Sequence, residues 1–190
     1  MLQNPLSTPT QPPPPQFGDR LNQIAQAREA MLLNRQPPPT GISPLLARSW
    51  QRCLAQGHAP SQQLGFESVQ PQAMSRTLAQ NMPLLRAARP IIQTLAKAVA
   101  DTRYFALLTD AQGVVIELGG PIDRHDRRAT AIARLGVDLS ERAVGTTAIG
   151  ATLNELQPVW LHRGEHFFDD TAIYSCAGAP VIGPDGRCAG

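Results

Sequence analysis

A chain of 190 residues is long enough for one domain with its own core, or a domain with a tail, but hardly for two full domains. Its net charge of +2 is uneven, with nine Lys/Arg against three Asp/Glu in residues 1–100 and eight against twelve in 101–190; the first-half arginines are scattered singly, which excludes the basic stripe of a DNA reader. Three cysteines without CxxC spacing, no secretory leader and no apolar run near the roughly 20 residues of a bilayer span exclude a disulfide scaffold and a membrane partner, and point to the cytoplasm.

Nine of the 18 prolines fall in the first 40 residues. Residues 2–16 carry almost no large apolar side chain, too few to offset chain entropy, and are expected to be disordered. Residues 1–40 therefore read as a proline-rich tail with a short helix near 19–33. Asp19 is its expected N-cap, Leu21, Ile24 and Met31 or Leu32 its shared face, and the prolines at 37–39 follow its end.

Residues 41–101 read as a helical lead-in. Ser43 is placed to cap a helix whose first position, Pro44, needs no donor, and Leu46, Trp50, Cys53 and Leu54 form one buried stripe to about Gln56. Gly57 suits the left-handed stop, and Arg48 and Arg52 are expected to face water. Residues 58–70 show no period. Pro71 opens a second helical region that Pro83 and Pro90 must each bend or restart, and Ile91, Ile92, Leu95, Ala98 and Val99 give an apolar face to about Asp101.

Residues 102–190 change period to that of strands. Runs at 104–109 and 114–118 around an Asp110 to Gly113 turn predict a hairpin. Helices are expected at 124–134 and 145–156, and strands at 158–161 and 177–182. The turn at 183–186 sends the chain back, so that 187–190 only begin a fifth strand; a truncated last strand would leave unpaired ladder groups. The expected fold class is α+β, an antiparallel sheet flanked by helices with an N-terminal helical segment.

Five phrases occur in fixed order: Ser49-Trp50-Gln51-Arg52-Cys53, Leu108-Thr109-Asp110-Ala111-Gln112-Gly113, Gly145-Thr146-Thr147-Ala148-Ile149-Gly150, Glu165-His166-Phe167 and Ser175-Cys176-Ala177-Gly178-Ala179-Pro180. Over about residues 42–190 they closely resemble the N-terminal sensor region of sigma-54-dependent, Fis-family activators of the acetoin and glycerol catabolism regulator type. The resemblance implies a GAF-like sensor at 102–190 that binds a small-molecule effector, forms a homodimer and catalyses nothing. It implies that DNA and sigma-54 RNA polymerase are reached only through domains outside this chain. The chain departs from the usual pattern at Thr147 (commonly Asn), Thr171 (His), Tyr174 (Trp) and Ala177-Gly178 (Ser-Ala), which warns against borrowing a relative's ligand.

In such folds the pocket lies between a sheet face and the helix and loop that cross it, here 145–150 and 162–176. Gly145 and Gly150 bracket Thr146 and Thr147, either to bring backbone N–H groups and hydroxyls to a ligand anion or simply to cap and pack a helix. Glu165 and His166, with His162, Asp169 and Asp170 nearby, contact a ligand, anchor the loop or bind metal with Cys176. A His-x3-His pair needs a helix to share a metal, and Gly164 favours a loop, so no metal is assigned. Cys176 is either a buried thiol or a redox nucleophile. If Cys188 pairs near Val181 it stands roughly 16 Å from Cys176 at ~3.3 Å per residue, too far for a disulfide. The candidate ligand-binding residues are Thr146, Thr147, Glu165, His166, Tyr174 and Cys176, with no catalytic residue and no cofactor. Two alternatives stand beside effector sensing: a dimerisation domain pairing through helices 43–56 and 90–101, and a thiol-redox enzyme using Cys176.

Overall fold

The computed structural model describes residues 17–190, so the expected disorder of 2–16 lies outside the described residues. Helix α1 (Phe17–Arg28) begins before Asp19, which sits in its first turn rather than capping it, and continues as a π-helical segment, Glu29–Leu33. There the Asn34 N–H reaches back to the Glu29 carbonyl, and the wider turn carries both Met31 and Leu32 inward. The buried face is Ile24, Ala27, Met31 and Leu32; Leu21, expected on it, is exposed.

Helix α2 (Pro44–Ala55) has the expected cap, with Ser43 Oγ accepting from the Leu46 N–H at 3.1 Å, and Gly57 takes φ +83° after its end. Its Leu46, Trp50 and Cys53 join Ile24, Ala27, Met31 and Leu32 in one apolar cluster. After α3 (Pro71–Gln80), α4 (Met82–Ala98) restarts at Pro83, as expected, but runs through Pro90 without a restart. Burial of Leu85, Ala88 and Ile92 against the first hairpin holds the turn that Pro90 leaves one hydrogen bond short. The apolar face expected at 91–99 divides: Ile92 is buried, while Ile91 and Leu95 are exposed.

Strand β1 (Ala106–Thr109) pairs antiparallel with β2 (Val115–Gly119), with an irregularity between Leu108 and Thr109; Tyr104 lies outside the strand. Helix α5 (Arg127–Ile132) is shorter than expected because Asp126 caps it, accepting from the N–H groups of Arg128 and Ala129. A short helix α6 (Glu141–Val144), capped by Ser140, was not expected. It occupies the chain up to Gly145, so α7 (Ala148–Glu155) starts three residues later than the pattern suggested, capped by Thr147.

Strand β3 (Val159–His162) pairs with β4 (Ser175–Gly178), Val159 opposite Gly178 and His162 opposite Ser175, which places β4 ahead of the expected 177–182. The chain then folds back: the Val181 N–H donates to the Gly190 carbonyl and the Ala189 N–H to that of Val181, both at 2.8 Å. Cys188 thereby stands opposite Ile182, one residue from the expected Val181. The fold is α+β, as expected, but among the described residues its strands form two separate two-stranded antiparallel sheets instead of one. No described helix is long and apolar enough to cross a membrane.

Candidate functional site

The phrase 49–53 lies along α2 and meets two of the other phrases in space, 145–150 through Thr146 and 165–167 through Glu165. Glu141, at the start of α6, is 3 % exposed, and its carboxylate accepts from the Ser49 hydroxyl, from Arg52 Nε at 2.7 Å and Nη2 at 3.2 Å, and from Asn154 Nδ2 at 2.9 Å. Arg52 also donates to Glu155 at 2.7 Å, and Arg48 pairs with the same carboxylate. Arg48 is exposed, as expected, whereas Arg52 is half-buried, and each is drawn to an acid far along the chain. Hydrogen bonds from Arg48 foremost, then from Arg52, hold the Glu155 carboxyl below its ordinary range. Thr146, fully buried, shares a hydrogen bond of 2.7 Å with Ser49 and approaches Cys53 Sγ at 3.4 Å. Burial pushes the Cys53 thiol up to about 11.

The segment following β3 is a single 3-10 turn, Arg163–Glu165. Buried Glu165 closes it by accepting from the His162 backbone N–H at 2.8 Å, and its other carboxylate oxygen pairs with Arg20 of α1. Its backbone carbonyl accepts from Trp50 Nε1 at 3.0 Å. Arg28 clasps the same stretch, donating to the carbonyls of Gly164 (3.1 Å), His166 and Phe167 (3.1 Å) and to Asp169 (2.6 Å). Its guanidinium also lies 6.0 Å from the Trp50 ring centre.

His166 Nδ1 lies 2.8 Å from the Arg163 carbonyl, which only accepts, so Nδ1 carries the proton and Nε2 a lone pair. That lone pair faces Cys176 Sγ at 3.0 Å, and Sγ in turn accepts from the Ala148 N–H at 3.3 Å, at the start of α7. Burial lowers the His166 pKa and pushes the Cys176 thiol up to about 11, so around neutral pH the pair is S–H···N, not thiolate and imidazolium.

His166 and Cys176 therefore touch, and Thr147 caps the helix whose first N–H meets Cys176, its Oγ1 accepting from the Gly150 N–H at 3.1 Å. Tyr174 lies apart from them: burial foremost, then the charge of Asp126, raises its phenol to about 12, and its carbonyl accepts from the Arg163 N–H at 2.7 Å. The bracketing glycines admit close neighbours. A Cβ on Gly145 would lie 2.7 Å from Phe168 Cε2, and one on Gly150 2.7 Å from the Glu141 nitrogen. Among the described residues no three His, Cys, Asp or Glu side chains gather as a metal site.

Two clefts open nearby. One of about 350 Å³ lies between α6, α7 and the hairpin turn, lined by Gln56, Gln112, Ser140, Glu141 and Asn154. A slot of about 200 Å³ lies between α1, the start of α2 and β3, and includes Glu165. Sequence reasoning does not single out Arg28 or Glu141, places Ser49 only within a phrase, and reads Arg52 as facing water. The phrase itself was the available signal, since four of its five residues make these contacts.

Residues 22–189 match the family described as the MimR N-terminal domain. The chain is 31 % identical over 149 residues to the acetoin dehydrogenase operon transcriptional activator AcoR of Bacillus subtilis, covering 76 % of this chain and 24 % of that protein. It is 30 % identical over 144 residues to the acetoin catabolism regulatory protein of Cupriavidus necator (75 % and 22 %), and 28 % identical over 162 residues to the propane 2-monooxygenase operon transcriptional activator MimR of Mycolicibacterium goodii (84 % and 26 %). The chain thus spans about a quarter of the length of these relatives. The crystal structure of the E. coli DhaR(N)-DhaL complex shares the fold, with a TM-score of 0.72 at 17 % identity, over 77 % of this chain and 50 % of that one.

Proposed function

The chain belongs to the MimR N-terminal domain family, the regulatory N-terminal regions of transcriptional activators, and from that premise we propose that it senses a small metabolite and relays its presence to domains elsewhere in the protein. The observation that carries this reading is the clasp between the 162–176 segment and the N-terminal helices. Arg28 holds four acceptors of that segment, Arg20 holds Glu165, and Trp50 holds the Glu165 carbonyl. A ligand that shifts the segment must move α1 and α2 with it or break charge-assisted bonds. Packed elements joined in this way switch between discrete arrangements rather than deform smoothly.

On this reading the effector contacts Glu165, while His166 and Cys176 pair behind it, Thr146 and Thr147 hold the start of α7 and Tyr174 the far side of the loop. The domain acts as a GAF-type homodimer and reaches DNA and sigma-54 RNA polymerase through other domains. The relatives are named for acetoin and propane operons, which favours a small effector. A dimerisation role without ligand has one observation of its own, the exposure of Ile91 (68 %) and Leu95 (47 %) on α4. The thiol-redox reading is disfavoured by the neutral Cys176–His166 pair.

Thermal-shift measurement of the 190-residue chain against a broad panel of catabolic metabolites tests the proposal. At least one compound is expected to raise the melting temperature in a saturable way. No stabiliser across the panel, from a chain that is folded and dimeric, would favour the dimerisation role instead.

A further inference from the structure

Resting on the sensing reading, we propose that the 200 Å³ slot between α1, the start of α2 and β3 is the effector site, and that it takes a small monocarboxylate with an apolar body. Its walls are Leu45 and Val159, its polar end is Arg20, Ser43 and Glu165, and Trp160 stands at its edge. Trp160 is 78 % exposed, the most exposed large apolar side chain among those described. A free indole face beside an apolar slot suits the flat or aliphatic body of a small ligand.

The polar end selects charge. The Arg20 side chain is half exposed, gives Nη2 to Glu165 and has further N–H donors with which to receive a second carboxylate. Ser43 Oγ accepts from the Leu46 N–H, which leaves its own hydrogen to donate, and the positive end of the twelve-residue helix α2 opens at the same place. The Glu165 carboxylate repels a second anion, so the slot holds only a ligand whose carboxylate competes with Glu165 for Arg20. At 200 Å³ the slot lies below the roughly 300–1,000 Å³ of drug-sized sites, so the ligand is metabolite-sized. Because Arg20 belongs to α1 and Glu165 to the loop, a ligand that recruits Arg20 loosens the clasp between them, and this ties occupancy to the relay.

The two tryptophans make the test direct, since Trp50 is fully buried and Trp160 open. Benzoate and hexanoate are titrated into the 190-residue chain against benzyl alcohol and hexan-1-ol, reading tryptophan emission and melting temperature. The carboxylates are expected to give saturable changes in both and to bind at least tenfold more tightly than the alcohols. Trp160→Phe is expected to remove the emission change, and Arg20→Gln to weaken binding by tenfold or more. Should Arg20→Gln fold poorly, Trp160→Ala, at an exposed position, must still lower the benzoate-dependent thermal shift. Binding of carboxylates and alcohols alike, or carboxylate binding untouched by the Trp160 and Arg20 variants, overturns the slot assignment. If the carboxylates are silent while another panel metabolite stabilises the chain, the slot assignment fails and the sensing reading stands; if nothing on the panel binds, both fall.

Discussion

Glu141 gathers donors from Ser49, Arg52 and Asn154 in a buried position, so its removal takes one acceptor from each, although Arg52 keeps Glu155, Ser49 keeps Thr146 and Asn154 keeps the Gly150 carbonyl. Glu141→Ala is expected to destabilise the chain by about 1–3 kcal/mol in denaturant unfolding, with Glu141→Gln milder because the amide oxygen still accepts. Loss below about 1 kcal/mol would mean that the carboxylate is solvated and not the hub described. Cys176 makes a second prediction at this scale. With its pKa raised to about 11, it alkylates no faster than free cysteine at pH 7, and an accelerated rate would restore the redox reading. Burial also fixes the pH dependence of stability. His166 has a lowered folded pKa, so the unfolded chain binds more protons and stability falls as pH drops through and below about 6.5. Cys53 and Cys176 have raised values, so their contribution is whole below pH 9.0 and is lost as pH rises toward about 11. Denaturation midpoints between pH 5 and 11 should trace this dome, with His166→Gln flattening its acid limb. At this scale the sequence betrayed apolar burial but not charge pairing. The periodicity of α2 identifies Trp50 and Cys53 as core, whereas the partner of Arg52 lies 89 residues away, where no local pattern reaches.

Among the elements, those with a local stop or start were legible. Ser43-Pro44 and Gly57 bound α2 as expected, and the Asp110 to Gly113 turn sets the first hairpin, with Gly113 at φ +91°. The π-helical turn of α1 and the run of α4 through Pro90 were not legible, because tertiary burial decides both. Pro90→Ala restores a backbone donor at an exposed helix position and is expected to raise stability by about 1–3 kcal/mol; a loss would show that the proline shape itself is needed. Gly145 sits at φ +64° with Phe168 against it, so Gly145→Ala is expected to cost about 1–3 kcal/mol, read as a lowered denaturation midpoint. The later start of α7 has the same origin: the turn at Gly145 serves the Phe167–Phe168 packing before the helix can begin.

For the molecule as a whole, the α+β class was legible from the change of period near residue 104, and the phrases carried the family. The division into two small sheets was not, since pairing between hairpins depends on contacts distant in sequence. Nor was the role of residues 17–33, counted with the tail on composition: their arginines and apolar face join α2 and the 162–169 segment in one unit. That unit is the proposed relay. Its most direct test places this chain, in exchange for the matching N-terminal region, in the Bacillus subtilis acetoin operon activator and measures promoter output with and without the metabolite panel. Output that depends on a panel compound, and no longer depends on it in Arg28→Ala, is the predicted result; output that is the same with and without every compound, or a response indifferent to Arg28, would contradict it.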